Sequence, residues 1–386
     1  MKNRSPRMGK IRFFVDAAPL VDFHLSGVGH ATYHLVDELS RDRAFTEKHA
    51  IILIVAFGTK PRLAKWRFNS AVVPLSIPLP GRVLNWLLKN NALPWLDLFL
   101  GRGVYLFPNF RNWPLLFSRS FTYIHDVAFT RYPETVEPRN LAYLRKNVAR
   151  WIGRTTKVVT VSNTSKQEIV EAFDVDPAKI VVAHNGVDRT RYKRSDPQQI
   201  EKTKRNLGIA GEYILYVGNI EPRKNLTRLI SAYRSLPKAL TDCYQLVMVG
   251  SGGWLNEAII DAISHAQYDG YRIVRPLRFV EDLEIVDLYS GARCAVLPSF
   301  HEGFGMPVLE ALACGTRVVA ADLGSIREAG GDAVAYCDPL SVASIADTLK
   351  RTLETEPSAD FQSRASKQTE TLSWHKTAEI IKQLVL

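Results

Sequence analysis

Residues 294–322 read CAVLPSFHEGFGMPVLEALACGTRVVAAD, and the way this stretch must fold sets the reading of the whole chain. It opens on a short apolar, β-prone run (CAVLPSF, 294–300), turns through Gly303 and Gly305, and begins an amphipathic run at Pro307, a residue favoured in the first helical turn. A second apolar run, RVVAAD (317–322), follows. Strand, loop, helix and strand make the βαβ unit of a parallel sheet. The same alternation extends outward, through AVAYCD (333–338) on one side and YRIVRPL (271–277), YQLVMVGSG (244–252) and YILYVGN (213–219) on the other. It resumes in the first half with IRFFVDA (11–17), AIILIVAF (50–57), VYLFPNF (104–110), FTYIHD (121–126), KVVTVS (157–162) and KIVVAHN (179–185). The expected fold class is α/β, with two doubly wound parallel sheets in one chain.

The periodicity lapses over residues 188–202, which contain RTRYKRSDPQQ, so the expected domains are 1–190 and 191–373. The tail WHKTAEIIKQLVL (374–386) reads as a terminal helix with an apolar stripe. The four cysteines (Cys243, Cys294, Cys314, Cys337) are scattered without a Cys-x-x-Cys pair, which points to a reducing cytoplasm and away from a zinc knuckle. No run reaches the roughly 18–20 apolar residues that span a bilayer. The basic start, Met1 to Lys10, reads as a leader to the first strand and lacks the features of a signal peptide.

Charge is distributed unevenly. Residues 1–193 hold 29 lysines and arginines against 15 acids, whereas residues 194–386 hold 21 against 24. The first half should therefore meet something anionic. Neither a helix-turn-helix nor an aromatic RNA-binding signature is present, so the expected partner is an anionic membrane surface or a phosphorylated lipid and not nucleic acid. Within 80–102 (PGRVLNWLLKNNALPWLDLFLGR), Arg82, Lys89 and Arg102 lie among Trp86, Trp95 and many leucines, a pattern suited to a membrane interface or to a helix packing its leucines inward.

The residues that can carry chemistry cluster where strands end. Glu302 on the loop and Glu310 in the helix can each accept hydrogen bonds from sugar hydroxyls, with Gly303, Phe304 and Gly305 offering close backbone approach; alternatively Glu310 complements the helix dipole and Glu302 is a solvated charge. In YVGNIEPRKNL (216–226), Gly218 ends a strand and Arg223 and Lys224 stand at a helix start, where two cations are unfavourable unless an anion sits between them. A diphosphate is the obvious anion. Gly27 and Gly29 in LSGVGHATYHLVDEL (25–39) read as a flexible glycine loop or as a simple turn and helix cap. They do not complete a dinucleotide fingerprint, which argues against a nicotinamide-dependent oxidoreductase. His125 and Asp126 end the strand FTYIHD, where ligands of such sheets are met. The lone Asp-x-Asp, Asp174 and Asp176, falls at the amino end of a strand, so no metal is expected to be required.

Taken in order, these segments resemble the retaining family-four glycosyltransferases of the GT-B fold, two Rossmann-like domains facing a central cleft. The resemblance rests on Glu302 and Glu310 as a Glu-x7-Glu motif, the Gly-Val-Gly segment at 27–29, His-Asp at 125–126, VSNTS (161–165), HNGVD (184–188), GNIEPRKN (218–225) and LRFVEDLEIVDLYSGA (277–292). It implies an N-terminal acceptor domain and a C-terminal nucleotide-sugar domain. Arg223 and Lys224 would hold the donor diphosphate, Glu302 the donor-sugar hydroxyls, Glu310 the ribose, and backbone near Phe279 and Val280 the base. The glycines at 27 and 29 would close over the phosphate, His125 would lie by the reacting centre, and the terminal helix would return to the N-terminal domain. The segments around the glycines and EPRKNL are similar to bacterial mannosyltransferases that extend O-chains, although His30 stands where those tend to carry Arg. That similarity implies GDP-mannose as donor and a lipid-linked saccharide as acceptor, with a UDP-sugar or dTDP-rhamnose as the alternative donor. A non-catalytic carbohydrate-binding protein would not explain the paired glutamates.

Overall fold

The computed structural model describes residues 9–21, 26–90, 92 and 94–386, apart from the side chains of Asn85 and Lys89. Most of the basic start and Leu25, at the head of the glycine segment, thus lie outside the described residues. The chain divides into two compact units, the first comprising Met1–Val127, Ala142–Asn185 and Trp374–Leu386, and the second Ala128–Leu141 and Gly186–Ser373. This differs from a single cut at residue 190: the first unit ends five residues earlier, and residues 128–141 pack with the second. Tyr132 stacks on Phe300 (6.1 Å between ring centroids), and Trp254 Nε1 donates to Thr135 O at 2.7 Å.

Each unit is built on one wholly parallel sheet. The first contains β1 (Ile11–Asp16), β2 (His49–Phe57), β3 (Val72–Pro80), β4 (Val104–Phe107), β5 (Arg119–Tyr123), β6 (Lys157–Thr160) and β7 (Ile180–Val182), in the order β3-β2-β1-β4-β5-β6-β7. The second contains β8 (Glu212–Val217), β9 (Tyr244–Val249), β10 (Ile273–Val274), β11 (Cys294–Leu297), β12 (Val318–Ala321) and β13 (Val334–Cys337), in the order β10-β9-β8-β11-β12-β13. Central strands of such sheets are covered on both faces, which is why they read as continuous apolar runs. Phe13, Phe14 and Val15 of β1, all of β4, and Tyr213 to Tyr216 of β8 are buried. The connections place a topological switch point at β1/β4 in the first sheet and at β8/β11 in the second.

β3 has no counterpart among the strands expected from sequence. Pro74, Pro78 and Pro80 interrupt its apolar run, and it survives at the sheet edge, where missing ladder donors cost least. Several strands also stop short of their apolar runs. FTYIHD ends as strand at Tyr123 and CAVLPSF at Leu297, which leaves His125, Asp126 and Phe300 on loops beyond the carboxyl edge.

The terminal helix Trp374–Val385 packs on the helix Gly27–Arg41 within the first unit. Trp374 stacks on His34, Lys382 pairs with Asp42, and Arg119 Nη2 donates to Val385 O at 2.7 Å. All four cysteines are free, and burial pushes the thiols of Cys294, Cys314 and Cys337 up to about 12.

Candidate functional site

The switch point of the second sheet brings two distant segments together. β8 leads through Gly218 into a short 3-10 turn, Pro222–Lys224, and then into the helix Leu226–Arg234. β11, the neighbour of β8, leads through residues 298–305 into the helix Met306–Ala313. Asn225, in the left-handed region at φ 59°, staples the two, its Nδ2 donating to Pro298 O at 2.9 Å and to Pro339 O at 2.7 Å. Gly305, at φ 109°, makes the turn into the second helix, a conformation that a side chain would strain.

The charged cluster follows from that staple. Lys224 Nζ lies 2.6 Å from Glu302 Oε1, which also accepts from Ser299 Oγ at 2.6 Å. Arg223 Nη1 reaches Glu302 Oε2 at 3.1 Å and donates to His301 O at 2.7 Å, while Arg223 Nη2 bonds Glu221 Oε1 at 2.9 Å. Ser325 Oγ fixes the Glu302 main chain, donating to its carbonyl at 2.6 Å. Two cations at this turn do require an anion between them, and within the protein that anion is Glu302. Neither cation stands inside a helix N-terminus; both sit in the turn before it.

Burial alone would raise the Glu302 carboxyl, but the Lys224 and Arg223 charges, with hydrogen bonds from Lys224 and Ser299, hold it down to about 2. Burial and the neighbouring Arg223 push the Lys224 ammonium down, against the pull of Glu302. Lys224 spends one N–H on Glu302 and has no other hydrogen-bond partner among the described residues. A polyanion arriving at this turn would therefore find a cation with donors to spare, already held in place.

Glu310 occupies different surroundings. It is the fifth residue of the helix Met306–Ala313, beyond the first turn where a helix dipole acts. Tyr289 Oη donates to its Oε2 at 3.3 Å, Tyr192 also hydrogen-bonds it, and Arg191, beside it, is paired to Asp282 at 2.7 Å. Burial raises Glu310 to about 7, against the hydrogen bonds of the two tyrosines and the charge of Arg191. Phe279 and Val280 lie on the loop between β10 and the helix Asp282–Gly291, the former exposed and the latter buried. On this loop Arg278 forms a bidentate pair with Glu284, at 2.6 and 2.8 Å. Ser299, Glu221, Arg191, Tyr192 and Tyr289 were not among the residues singled out from sequence.

In the first unit, Gly27 and Gly29 are not a loop. They form the first turn of the helix Gly27–Arg41, with Ser26 Oγ accepting from Gly29 N at 3.4 Å. His125 Nε2 lies 2.7 Å from Pro108 O, so that nitrogen carries the proton and Nδ1 is left as the acceptor. Burial lowers the His125 pKa, against the Pro108 bond and the Asp126 charge, which keeps the ring neutral.

Comparison with known proteins meets this geometry at family level. A model described as glycosyl transferases group 1 matches residues 198–370, and one described as glycosyltransferase family 4 matches residues 25–191. O-antigen chain mannosyltransferase B of Escherichia coli is 30% identical over 272 residues, covering 70% of this chain and 71% of that protein. The chain belongs to the family-four glycosyltransferases. The serotype-specific mannosyltransferase WbdA of E. coli is 27% identical over 233 residues, which cover 59% of this chain and only 28% of that protein. Among solved structures, Anabaena HepE in complex with UDP and glucose superposes with a TM-score of 0.71 at 17% identity, over 97% of this chain and 99% of that one. WaaG, a glycosyltransferase involved in lipopolysaccharide biosynthesis, superposes with a TM-score of 0.65 at 16% identity, over 97% and 99%. The fold of this glycosyltransferase is thus the two-domain, Rossmann-like GT-B fold.

Proposed function

We propose that this glycosyltransferase moves mannose from GDP-mannose, with retention of anomeric configuration and without a metal, onto a lipid-linked saccharide in the synthesis of a bacterial polysaccharide. The observation that carries the reading is the cluster of Arg223, Lys224 and Glu302 at the β8/β11 switch point, where ligands of open parallel sheets bind. Its cations neutralise the departing diphosphate, and Glu302 holds them and meets the donor sugar with its remaining lone pairs. Glu310 takes the ribose, the backbone at Phe279 and Val280 takes the base, and Gly218, Gly303, Phe304 and Gly305 let the donor approach the main chain. Gly27, at the head of its helix, offers its amide to phosphate, and Gly29, whose amide is taken by Ser26, leaves room for close approach. His125 acts at the reacting centre and Asp126 on the acceptor. Both Glu302 oxygens are engaged by protein donors, which supports front-face attack by the acceptor hydroxyl over a covalent intermediate. Mannose and the polysaccharide acceptor are supported by the two E. coli relatives.

The lipid-linked acceptor is supported by one surface of the first unit. Asp97 accepts from the backbone amides of Leu116, Phe117 and Ser118 at 2.7–2.9 Å, pinning that loop against the helix Asp97–Leu100. Trp95, Leu98, Phe99, Leu116 and Phe117 are left exposed there, Phe99 by 71%, and the Arg102 guanidinium lies over Phe117. On the helix Gly81–Lys89, Leu84 is buried while Trp86 is 62% exposed. Among the described residues no helix is long and apolar enough to cross a membrane. Attachment would then be peripheral, on the anionic cytoplasmic face of the plasma membrane, with aromatics at headgroup depth.

One assay tests the reading. Radiolabelled GDP-mannose and UDP-glucose are each offered with lipid-linked saccharide extracted from membranes, in EDTA, and the product anomer is determined by NMR. Transfer of mannose alone, as the same anomer as in the donor, is expected. An inverted product, a requirement for added divalent ion, or transfer from UDP-glucose alone would each overturn the corresponding part.

A further inference from the structure

Glu221 stands at the end of a backbone ladder that outlasts its strands. Beyond β8 and β9, Gly218 N donates to Val249 O at 2.9 Å, Ile220 N to Ser251 O at 3.0 Å and Gly253 N to Ile220 O at 3.0 Å. The chain then enters the turn Pro222–Lys224, where Lys224 N donates to Glu221 O at 3.1 Å. Packing leaves the residue little freedom, since a Cβ added at Gly253 would lie 3.0 Å from Glu221 Cβ and 2.9 Å from Ile220 O. The main chain and its neighbour thus set where this carboxylate stands.

What the carboxylate does there is narrow. Its side chain is 2% exposed, and Oε1 accepts from Arg223 Nη2 at 2.9 Å. Oε2 is buried and has no hydrogen-bond partner among the described residues. Leaving one oxygen of a buried carboxylate without a donor works against the fold. The bond to Arg223 is what remains to account for the residue.

That bond completes the hold on the guanidinium. Like charges on adjacent residues repel, and Glu302 bridges them with Oε1 on Lys224 and Oε2 on Arg223 Nη1. His301 O accepts from Nη1 as well, so the loop after β11 grips one nitrogen and Glu221, on the turn after β8, grips the other. Acceptors at one nitrogen fix a point of the fork, whereas acceptors at both fix its plane. Bidentate recognition of a phosphate depends on that plane. We infer that Glu221 is a positioning residue of the donor site, which sets the Arg223 guanidinium in the plane that meets the diphosphate. The inference rests on the reading of Arg223 and Lys224 as the diphosphate site. It carries a sign: the hydrogen bond of Glu221 serves the diphosphate, while its charge opposes it.

Calorimetric titration of the full chain with GDP and with guanosine separates the bond from the charge. Glu221→Ala should weaken GDP binding about tenfold, the scale of one hydrogen bond to a charged group. Glu221→Gln should bind GDP at least as tightly as the wild type, because its amide oxygen still accepts from Nη2 while the opposing charge is gone. Guanosine should bind equally in all three proteins. In an Arg223→Ala background, Glu221→Ala should no longer weaken GDP binding. Unchanged GDP affinity in Glu221→Ala, an equal loss in Glu221→Gln, a parallel loss of guanosine binding, or an undiminished loss in the Arg223→Ala background each overturns the positioning role and leaves the diphosphate site standing. The Glu221→Gln comparison decides by itself if Glu221→Ala does not fold, since weaker GDP binding there also overturns the role. Equal affinity of the wild type for GDP and guanosine would instead remove the diphosphate reading, and this inference with it.

Discussion

Glu302 and Glu310 stand eight positions apart in one loop-and-helix segment, yet one carboxyl is held down to about 2 and the other is raised to about 7. Burial acts on both in the same direction. The difference lies in counter-charge: Glu302 meets an ammonium at 2.6 Å and a guanidinium at 3.1 Å, whereas Glu310 meets phenols and an arginine already paired to Asp282. Close opposite charge overrides desolvation, and a phenol hydrogen bond does not. One glutamate is thereby fixed as an anion that organises cations, and its neighbour is left poised near neutrality, where an arriving ligand hydroxyl can change its state.

The contrast can be broken most forcefully at Lys224. Lys224→Ala leaves the buried Glu302 with Arg223 alone, and breaking a buried pair costs about 3–5 kcal/mol. Urea denaturation should show a loss of that order, whereas a loss below about 1 kcal/mol would mean that solvent screens the pair as it does at surfaces.

Next in size is a pair of opposite pH dependences. For Glu302 the folded pKa lies below the ordinary 4.5, so its contribution to stability is present above pH 4.5 and is lost as pH falls toward 2. For Glu310 the folded pKa lies above 4.5, so the folded state holds the extra proton between pH 4.5 and about 7, and stability falls as pH rises through that window. At 1.36 kcal/mol per unit the Glu310 effect is up to roughly 3 kcal/mol. Glu310→Gln should therefore be more stable than wild type at pH 8 and no different at pH 4, as followed by denaturation midpoints. A gain that does not vary with pH would show that Glu310 does not titrate in this range.

The smallest expected effect is on nucleotide affinity in Glu302→Gln. The amide keeps a hydrogen-bond acceptor toward Lys224, so GDP should bind within about 1 kcal/mol of wild type, while turnover falls because the donor sugar loses its carboxylate. Parallel losses of affinity and turnover would place Glu302 on the nucleotide and not on the sugar.

Much of this could be read in advance, and the misses have physical causes. Buried parallel strands announce themselves as unbroken apolar runs, which is why β1, β8 and β11 were legible and the proline-interrupted β3 was not. Arg223, Lys224 and Glu302 were singled out as charges beyond the strand ends of such a sheet, and the structure brings the three together. Their pairing was invisible: Lys224 and Glu302 lie 78 positions apart and meet only because β8 and β11 are neighbours. Arg191 and Tyr192 were hidden in the polar stretch read as a linker. Gly27 and Gly29 left a loop and a helix cap both open, since glycines ahead of an amphipathic run suit either, and the structure has the cap: Ser26 caps a helix that already includes them.

Calorimetric titration of the wild-type protein with GDP and with guanosine tests the central claim, that Arg223 and Lys224 hold the donor diphosphate, without disturbing the fold. GDP should bind more tightly by at least about 1.5–3 kcal/mol, the value of one hydrogen bond to a charged group, and the advantage should shrink as salt is raised. Equal affinity for the two, or an advantage that persists unchanged in folded Arg223→Ala and Lys224→Ala protein, would contradict it.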